Sequence, residues 1–402
     1  MGKGGFTIRL MKTTRKTRDT VLYTYARNVA LATVCAIGLE ATSTQGCTDV
    51  MVPPDPTGLK QVVSARTLDG PLVDVSGATE VKLQAFERDR DWQSNWTQRG
   101  NGIQWRNPYG FVGMHAMKHV TDELGFGLMM FDGLNEHGLS AGFLWLWATG
   151  YPGLPTQREH SLSIIDTVAY ILGNFKTVAE VKAALTDPRN AKYAAIWAEP
   201  VVQKLAPLHL IVRDADGKSL LVEWIERKQL VYDGPVVDDI GVLTNDPIYP
   251  QQLKELSKYR KVTPKDGLYG IPGDASMQSR FIRVAMLRRF AFASRGPFPM
   301  DARQVAAHLI NSADVVYGTN IEHVPGESFS FEDYTGPTIL RDHKDRAIYF
   351  KGHNNQSYRK IDLAQIDFGK PLASAILADP LPTDAIYFQY QFGQDVTEML
   401  NQ

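Results

Sequence analysis

The chain has 402 residues, of which 44% are hydrophobic and 22% are charged. This is the balance of a globular protein with enough apolar material for a large core, and it excludes disordered and collagen-like classes. The 43 Lys and Arg side chains nearly match the 44 Asp and Glu side chains, so the composition gives no sign of the basic surface that nucleic acid attracts. Gly and Pro are scattered rather than pooled into a linker, which predicts one compact domain.

The first 46 residues have the charge-then-apolar order of a secretory leader. Seven basic and two acidic side chains precede or flank the apolar run V-A-L-A-T-V-C-A-I-G-L at 29–39. A run of 11 residues is too short to cross a bilayer of about 30 Å as a helix, so we expect no stable membrane span. Residues 1–46 are predicted to be a removed leader, and residues 47–402 a single domain that is periplasmic or secreted. The remaining 36 basic and 42 acidic side chains disfavour nucleic acid as a partner.

The segment from 125 to 149 predicts two apolar strands joined by the turn N-E-H-G, with Gly138 free to take a positive φ. Helical spacing follows from 161 to 187, where Thr177 and Glu180 have the spacing of a capping box. The segments L-H-L-I-V-R-D, S-L-L-V-E-W-I and K-Q-L-V-Y-D then alternate as strands around the turn D-A-D-G-K. These three strands predict an antiparallel meander, and G-V-L-T-N at 241–245 adds another strand.

Helical spacing returns at 279–290 and at 301–310, where Asp301 is the expected N-cap. The tail from 337 to 363 is strand-like again. Strands and helices are therefore grouped, which favours antiparallel sheets covered by helices over alternating parallel βαβ units. The pattern predicts an α+β fold.

Cys47 is the only cysteine outside the apolar run, which contains Cys35. With one cysteine left after export no internal disulfide can close, so Cys47 is a dimer link, a lipid attachment point, an inert buried thiol or a reactive one. Gln45 and Thr44, directly upstream, are poor residues for lipid attachment. If the leader ends after Gly46, Cys47 carries its own α-amine, whose pKa of about 7.7 to 8.0 suits a general base toward the adjacent thiol.

Five short segments carry the most distinctive sequence. They are C-T-D-V at 47–50, A-R-T-L-D at 65–69, D-G-L-N-E-H-G-L at 132–139, L-T-N-D-P at 243–247 and I-P-G-D-A-S-M-Q-S-R-F-I-R at 271–283. In this order they resemble the choloylglycine hydrolase family, which comprises conjugated bile acid hydrolases and penicillin V acylases. The resemblance implies a four-layer α-β-β-α N-terminal-nucleophile fold over residues 47–402. It also implies a hydrolase of linear, non-peptide C–N bonds in small N-acyl amides, and a homotetramer.

The same resemblance assigns roles to five residues. Cys47 is implied to be the nucleophile exposed by processing, with Arg66 and Asp69 beside it. A cationic Arg66 favours the thiolate, and Asp69 can accept a hydrogen bond from the α-ammonium. Asn245 is implied to donate its side-chain amide to the oxyanion of the tetrahedral intermediate, and Arg280 to place a second positive charge near the thiol. Apart from the resemblance, Arg66 with Asp69 is an ordinary solvated pair, and Asn-Asp-Pro an ordinary turn.

One segment departs from the bile acid hydrolases of the family. Those enzymes carry an Asn in an A-G-L-N-F-P-like stretch, whereas this chain has A-G-F-L-W-L-W from position 141. The Asn position falls on Leu144 or Trp145, so a backbone N–H is expected as the second oxyanion donor. The aromatic residues resemble the Gram-negative branch, which takes phenoxyacetyl penicillin and long-chain N-acyl homoserine lactones. Trp145 and Trp147 are expected to form an apolar wall for the acyl group, with Trp92 and Trp96 at its mouth, although core tryptophans are the alternative.

No metal or other cofactor is expected. The nine histidines show no H-E-x-x-H spacing, and His115 and His119 have no third ligand near them in sequence. Three functions therefore remain open. They are an amidase for penicillin V or N-acyl homoserine lactones, a hydrolase of bile acid conjugates, and a periplasmic lipoprotein or binding module anchored through Cys47.

Overall fold

The computed structural model describes residues 46–52, 61–70, 81–94, 102–115, 128–293, 301–323, 330–353, 355–372, 376–378, 394, 395 and 397. Its strands are β1 (Thr48–Met51), β2 (Val63–Asp69), β3 (Lys82–Phe86), β4 (Asp91–Gln93), β5 (Gln104–Arg106), β6 (Phe111–His115), β7 (Met130–Asn135), β8 (Ser140–Trp145), β9 (Ser161–Ser163), β10 (Ala195–Trp197), β11 (Leu208–Arg213), β12 (Ser219–Ile225), β13 (Lys228–Asp233), β14 (Val242–Leu243), β15 (Ile321–His323), β16 (Ser330–Glu332), β17 (Thr335–Asp342), β18 (Ala347–Lys351), β19 (Arg359–Asp362), β20 (Ile376–Ala378) and β21 (Gln394–Asp395). Its α-helices are α1 (Thr167–Asn174), α2 (Val178–Thr186), α3 (Pro200–Leu205), α4 (Pro235–Asp238), α5 (Tyr249–Ser257), α6 (Met277–Ala291) and α7 (Ala302–Asn311).

Two large sheets form the centre of the molecule. Sheet one has seven strands in the order β14-β1-β2-β17-β18-β19-β21, and sheet two has eight in the order β13-β12-β11-β8-β7-β6-β3-β20. Neighbouring strands are antiparallel throughout sheet two. They are also antiparallel in sheet one as far as β19, which pairs in parallel with β21. The antiparallel sheets expected from the grouping of strands are confirmed.

Helices cover the outer face of each sheet. Helix α1 packs on β6, β7 and β8 and α2 on β12, whereas α6 packs on β1 and β14 and α7 on β1, β2 and β17. The layers therefore follow the order helix, sheet, sheet, helix, which confirms the four-layer α-β-β-α architecture and the α+β class. Within the described part of the chain, no helix combines the length and the apolar character needed to cross a membrane.

The predicted N-E-H-G hairpin is formed by β7 and β8. Asn135 shapes its turn, because the side-chain oxygen accepts hydrogen bonds from the backbone N–H groups of His137 and Leu139, each at 3.0 Å. Gly138 has the expected positive φ, +81°, and a Cβ there would lie 2.0 Å from the carbonyl oxygen of His343. The turn of sheet two therefore packs closely against a residue that follows β17 of sheet one.

Two helix starts match the predicted caps. The Thr177 hydroxyl accepts from the Glu180 backbone N–H at 3.2 Å, and the Asp301 carboxylate caps α7. The capping box at Thr177 is incomplete, because the Glu180 carboxylate accepts from the backbone N–H of Lys176 instead. The helical spacing predicted from 161 is wrong at its start, since these residues form β9, paired in parallel with β10, and α1 begins only at Thr167.

Candidate active site

Cys47 directly precedes β1 and is buried, with 5% of its surface exposed. Strand β1 lies between β2 and β14, and Asp49 is opposite Arg66 on one side and opposite Leu243 on the other. Because antiparallel neighbours run back along β1, the end of β2 and the residues after β14 reach the level of Cys47. This register brings the segments A-R-T-L-D and L-T-N-D-P to the cysteine from opposite sides.

Arg66 extends from β2 into the space between the two sheets. Its Nη2 lies 3.6 Å from the Cys47 Sγ and also donates to the carbonyl oxygen of Phe143. Its Nη1 donates to the carbonyl oxygen of Phe131 at 2.6 Å. These two carbonyls belong to β8 and β7, so the guanidinium satisfies backbone acceptors that are buried in sheet two. Arg66 is thus held by sheet two while it contacts the thiol on sheet one.

Asp132 on β7 pairs with the other edge of the guanidinium. Its Oδ2 lies 3.0 Å from the Arg66 Nη1, and both side chains are buried. Gly142 on β8 leaves room for this pair, because a Cβ there would lie 2.6 Å from the Asp132 Oδ2 and 2.8 Å from the Arg66 Nη1. The small residue of the A-G segment is therefore required by the ion pair that holds Arg66.

Burial raises the pKa of the Cys47 thiol above its ordinary value, because the thiolate loses its hydration. The positive charge of Arg66 acts in the opposite direction, and the negative charge of Asp69 adds to the effect of burial. Arg66 acts to lower the pKa of the thiol, but burial outweighs it. The thiol is therefore the favoured form in the chain that still carries Gly46.

Asp69 and Arg280 form a buried ion pair beside Cys47. Arg280 enters from α6, and its Nη1 also donates to the carbonyl oxygen of Gly46. The other oxygen of Asp69 accepts from the Thr335 hydroxyl at 2.7 Å. The Thr67 hydroxyl also donates to the Asp69 Oδ2, at 3.3 Å. The carboxylate is thus oriented by three donors close to the Gly46–Cys47 peptide bond, whose nitrogen becomes the α-amine if that bond is cleaved.

Asn245 follows β14 and is fully buried. Its side-chain Nδ2 and Oδ1 have no hydrogen-bond partner among the residues that the structure describes. The side chain lies against Gly46, where a Cβ would stand 2.6 Å from the Asn245 Oδ1. A buried amide without a partner costs free energy in a folded protein, and such groups are found where a ligand supplies the missing partner.

Gln252 on α5 holds the backbone around Asn245. Its Nε2 donates to the carbonyl oxygens of Asn245 at 2.8 Å and of Pro247 at 2.7 Å. The Gln252 side chain is buried, so these bonds are shielded from water. The sequence analysis did not identify Gln252. The usable signal was a polar residue on the buried side of the first helix after L-T-N-D-P.

Gly46 occupies a position that no larger residue fits. A Cβ would lie 2.3 Å from the Arg280 Nη2, 2.6 Å from the Asn245 Oδ1 and 2.6 Å from the Met277 Cγ. Arg280 and Met277 belong to α6, and Asn245 belongs to the segment after β14. The residue before the cysteine is therefore held tightly by the same side chains that are predicted to act on a substrate.

Leu144 and Trp145 lie on opposite faces of β8. Leu144 is two residues from Gly142 along the strand, so both face the same side, and Gly142 faces the Arg66–Asp132 pair. The buried Leu144 side chain is therefore on the interior face, and Trp145 is on the outer face. Of the two positions to which the family's Asn was assigned, Leu144 is the one on the interior face. Trp145 packs edge to face on Trp147, with ring centroids 5.5 Å apart. The two tryptophans do not form a wall on the interior face of β8.

Trp147 is tied to the Asn245 segment, because its backbone N–H donates to the Asp246 Oδ2 at 3.0 Å. Trp92 is elsewhere: it lies on β4 rather than in a loop, stacks on Trp105 and donates to the Asn107 side chain. Its contacts therefore do not place it beside Cys47. Trp96 and His119 lie outside the described residues. No group of three His, Cys, Asp or Glu side chains in the described ranges is placed to hold a metal ion.

The structure brings all five of the implied catalytic residues together. Two facing antiparallel sheets covered by helices, with a buried thiol at the start of an inner strand, have the architecture of the N-terminal-nucleophile hydrolases. Residues 47–374 match the family model of linear amide C–N hydrolases, choloylglycine hydrolase family. The chain belongs to this family.

The chain is similar to proteins that are named for two different activities. It is 27% identical over 383 residues to penicillin V acylase of Pectobacterium atrosepticum, covering 90% of this chain and 93% of that protein. It is 28% identical over 253 residues to bile salt hydrolase/transferase of Clostridium perfringens, covering 58% of this chain and 72% of that protein. The structure of penicillin V acylase from Agrobacterium tumefaciens has the same fold, with a TM-score of 0.66 at 24% identity over 89% of this chain and 97% of that one. The protein is thus a hydrolase of carbon–nitrogen bonds in linear amides.

Proposed function

We propose that the protein is an exported cysteine amidase that hydrolyses N-acyl amides, penicillin V or N-acyl homoserine lactones, through a thioester on Cys47. One observation carries the proposal. The Cys47 thiol lies 3.6 Å from the Arg66 guanidinium. The buried Asn245 amide, which has no hydrogen-bond partner within the described ranges, is at the same end of β1. A nucleophile, a cation and an oxyanion donor therefore meet at one point.

The proposed reaction begins when the Cys47 Sγ attacks the amide carbonyl carbon. The α-amine of Cys47 takes the thiol proton and passes it to the leaving amine, whose C–N bond breaks as the thioester forms. The Asn245 Nδ2 and a backbone N–H donate to the oxyanion. Water then hydrolyses the thioester, which releases the acid and restores the thiol.

The α-amine becomes available only when the Gly46–Cys47 bond is cleaved. We propose that residues 1–46 direct export and are removed, which is supported by their basic and apolar segments and by the family match that begins at Cys47. Arg280 and Asp69 then remain beside the new amine. The proposal is tested by the intact mass and N-terminal sequence of the protein recovered from the periplasm. A chain that begins with unmodified Cys47 supports it, whereas lipid on Cys47 or retained upstream residues would overturn the mechanism.

The proposed specificity for the acyl group of the substrate is based on the side chains of β8. The buried Leu144 on the interior face offers no side-chain amide, which favours an apolar acyl or aryl group over a steroid conjugate that needs polar contacts. The test compares kcat/KM for penicillin V, decanoyl homoserine lactone and taurine or glycine bile conjugates. Faster turnover of the bile conjugates would refute this choice while leaving the amidase mechanism intact.

We also propose that the protein assembles as a homotetramer, as the family resemblance implies. Light scattering of the purified protein tests this. A monomer at micromolar concentration would exclude it.

A further inference from the structure

A chain of buried ion pairs leads from Arg66 away from Cys47. Asp132 accepts from the Arg66 Nη1 at 3.0 Å and from the Arg341 Nη1 at 3.1 Å. Arg341 also donates, through Nη2, to the Oδ2 of Asp49. The Oδ1 of Asp49 in turn accepts from the Arg213 Nη2 at 2.7 Å. We call these five residues, Arg66, Asp132, Arg341, Asp49 and Arg213, the ion-pair chain.

The ion-pair chain is shielded from water and crosses between the sheets. Each of its side chains is at most 1% exposed. Arg66, Arg341 and Asp49 belong to β2, β17 and β1 of sheet one, whereas Asp132 and Arg213 belong to β7 and β11 of sheet two. Charges in such a dry interior act on one another far more strongly than charges at a surface.

The ion-pair chain carries one positive charge in excess. Three guanidinium groups face two carboxylates, and each carboxylate accepts from two arginines, whose positive charges favour its ionised form. Against the effect of burial, Arg213 and Arg341 lower the pKa of Asp49, whereas burial raises the pKa of Asp132 although Arg341 and Arg66 act to lower it. The neighbouring pair of Asp69 and Arg280 is neutral in sum. An uncompensated buried charge is costly. Ionisation of the Cys47 thiol, which lies 3.6 Å from the Arg66 guanidinium, neutralises the excess and is opposed by the burial of the thiol.

Other charged groups around the ion-pair chain do not remove the excess. His343 is near Arg341 and Arg213, but burial lowers its pKa to about 3, so it is neutral at pH 7. Arg288 lies beyond Arg213 and donates to backbone carbonyl oxygens, including that of Met51 at 2.6 Å. Its charge is compensated by Asp238 and Asp239, which lie close to it, and Asp238 also pairs with Lys218.

We propose that Asp132, Arg341, Asp49 and Arg213 are positioning residues that act through Arg66, holding its guanidinium at Cys47 and setting, by their summed charge, the fraction of the nucleophile present as thiolate. The inference rests on the proposed role of Cys47 as nucleophile. It assigns a catalytic effect to residues that touch neither the substrate nor the thiol.

The test changes the charge at the far end of the ion-pair chain. Asp49→Asn removes a negative charge at nearly constant side-chain size, and Arg213→Gln removes a positive one. As a general estimate, a unit charge about 10 Å from a titrating group, at an effective dielectric constant of about 20, shifts its titration by about one pH unit. We expect the thiolate titration midpoint to fall by about one pH unit in Asp49→Asn and to rise by about as much in Arg213→Gln. The double variant should return toward the parent value.

The midpoint is measured from the ultraviolet absorbance of the thiolate against pH, with the Cys47→Ser protein as the blank. This readout needs no substrate, so it remains valid if the proposed substrates are wrong. Arg213→Lys keeps the charge while changing the hydrogen bonds, and its midpoint should stay near the parent value. Asp233→Asn breaks the half-exposed pair with Lys182 and serves as the surface control, with no expected shift.

Three outcomes would overturn the proposal. The first is a midpoint that moves in the same direction in Asp49→Asn and Arg213→Gln. The second is an unchanged midpoint in both, with near-ultraviolet circular dichroism like that of the parent. The third outcome concerns the case in which Arg213→Gln does not fold. The proposal is then overturned if the titration midpoint of Asp49→Asn is equal to or above the parent value.

Discussion

Substitution of Asn245 is the most direct way to separate an effect on turnover from an effect on folding stability. In Asn245→Ala the oxyanion loses a side-chain donor, an effect that costs about 10² to 10³ in kcat, or about 2.7 to 4 kcal/mol of transition-state stabilisation. The folded protein loses no hydrogen bond, because the amide has no partner among the described residues. Relief of an unpaired buried polar group is worth about 1 to 3 kcal/mol. It offsets the small cavity that the substitution leaves.

The expected result is therefore an enzyme that is nearly inactive and as stable as the parent. The free energy of unfolding from urea titration should stay within about 1 kcal/mol of the parent value, while kcat for penicillin V falls at least about 100-fold with little change in KM. Both quantities are measured on the same mature preparation.

Asn135 is the matched control, because it is also a fully buried asparagine. Its side chain donates to the carbonyl oxygens of Leu172 at 2.9 Å and Phe175 at 2.7 Å, and it accepts from two backbone N–H groups of the hairpin turn. Asn135→Ala should cost about 2 to 4 kcal/mol of stability, since buried partners are left unpaired. The kcat of its folded fraction should stay close to that of the parent.

The reasoning is refuted if the two variants behave alike. A stability loss of several kcal/mol in Asn245→Ala would mean that its amide is satisfied in the folded chain. Retention of more than a tenth of the parent kcat would mean that the oxyanion is held by other donors.

Three further substitutions test the site and its surroundings. Gln252→Leu frees the backbone carbonyl of Asn245 and should lower kcat about 10-fold with KM nearly unchanged; a rise in KM at constant kcat would contradict this. Gly46→Val places a side chain on atoms 2.3 to 2.6 Å away, so intact mass should show little chain beginning at Cys47, and normal maturation would speak against the tight fit. His343 has a pKa lowered from 6.5 to about 3 by burial, so stability is lost as pH falls below about 6.5, by about 3 kcal/mol between pH 7 and pH 4. His343→Asn should reduce that loss in urea titrations at the two pH values, and an unchanged pH dependence would contradict the assignment.

Much of the fold was predictable because it is encoded locally. Alternating apolar residues predicted the strands of the meander and of the tail. The positive φ predicted for the turn residue Gly138 is confirmed. The start of α1 was not predictable, because S-L-S at 161–163 pairs with a strand more than 30 residues away. Local spacing there favours a helix, and only the partner strand decides against it.

The five candidate catalytic residues lie in motifs that are visible in the sequence, but the residues that support them could not be predicted. Arg66 is held by an aspartate on β7 and by backbone carbonyls of β7 and β8, and Gln252 holds the Asn245 segment from a helix. No spacing in the sequence links these positions. The assignment of Leu144 to the interior face likewise depends on the pairing of β8, since one residue of register exchanges the two faces.

The sequence by itself determined the family, the order of strands and helices, and the residue types that carry the chemistry, because short motifs and periodicity are local properties of the chain. The tertiary structure alone decided what surrounds them. Antiparallel register places Asp69 and Asn245 level with Cys47 on opposite sides of β1, and the facing sheets enclose a chain of charges with one positive charge in excess. Such proximity arises from contacts between residues far apart in sequence. The burial and charge of these residues act on the pKa of the thiol.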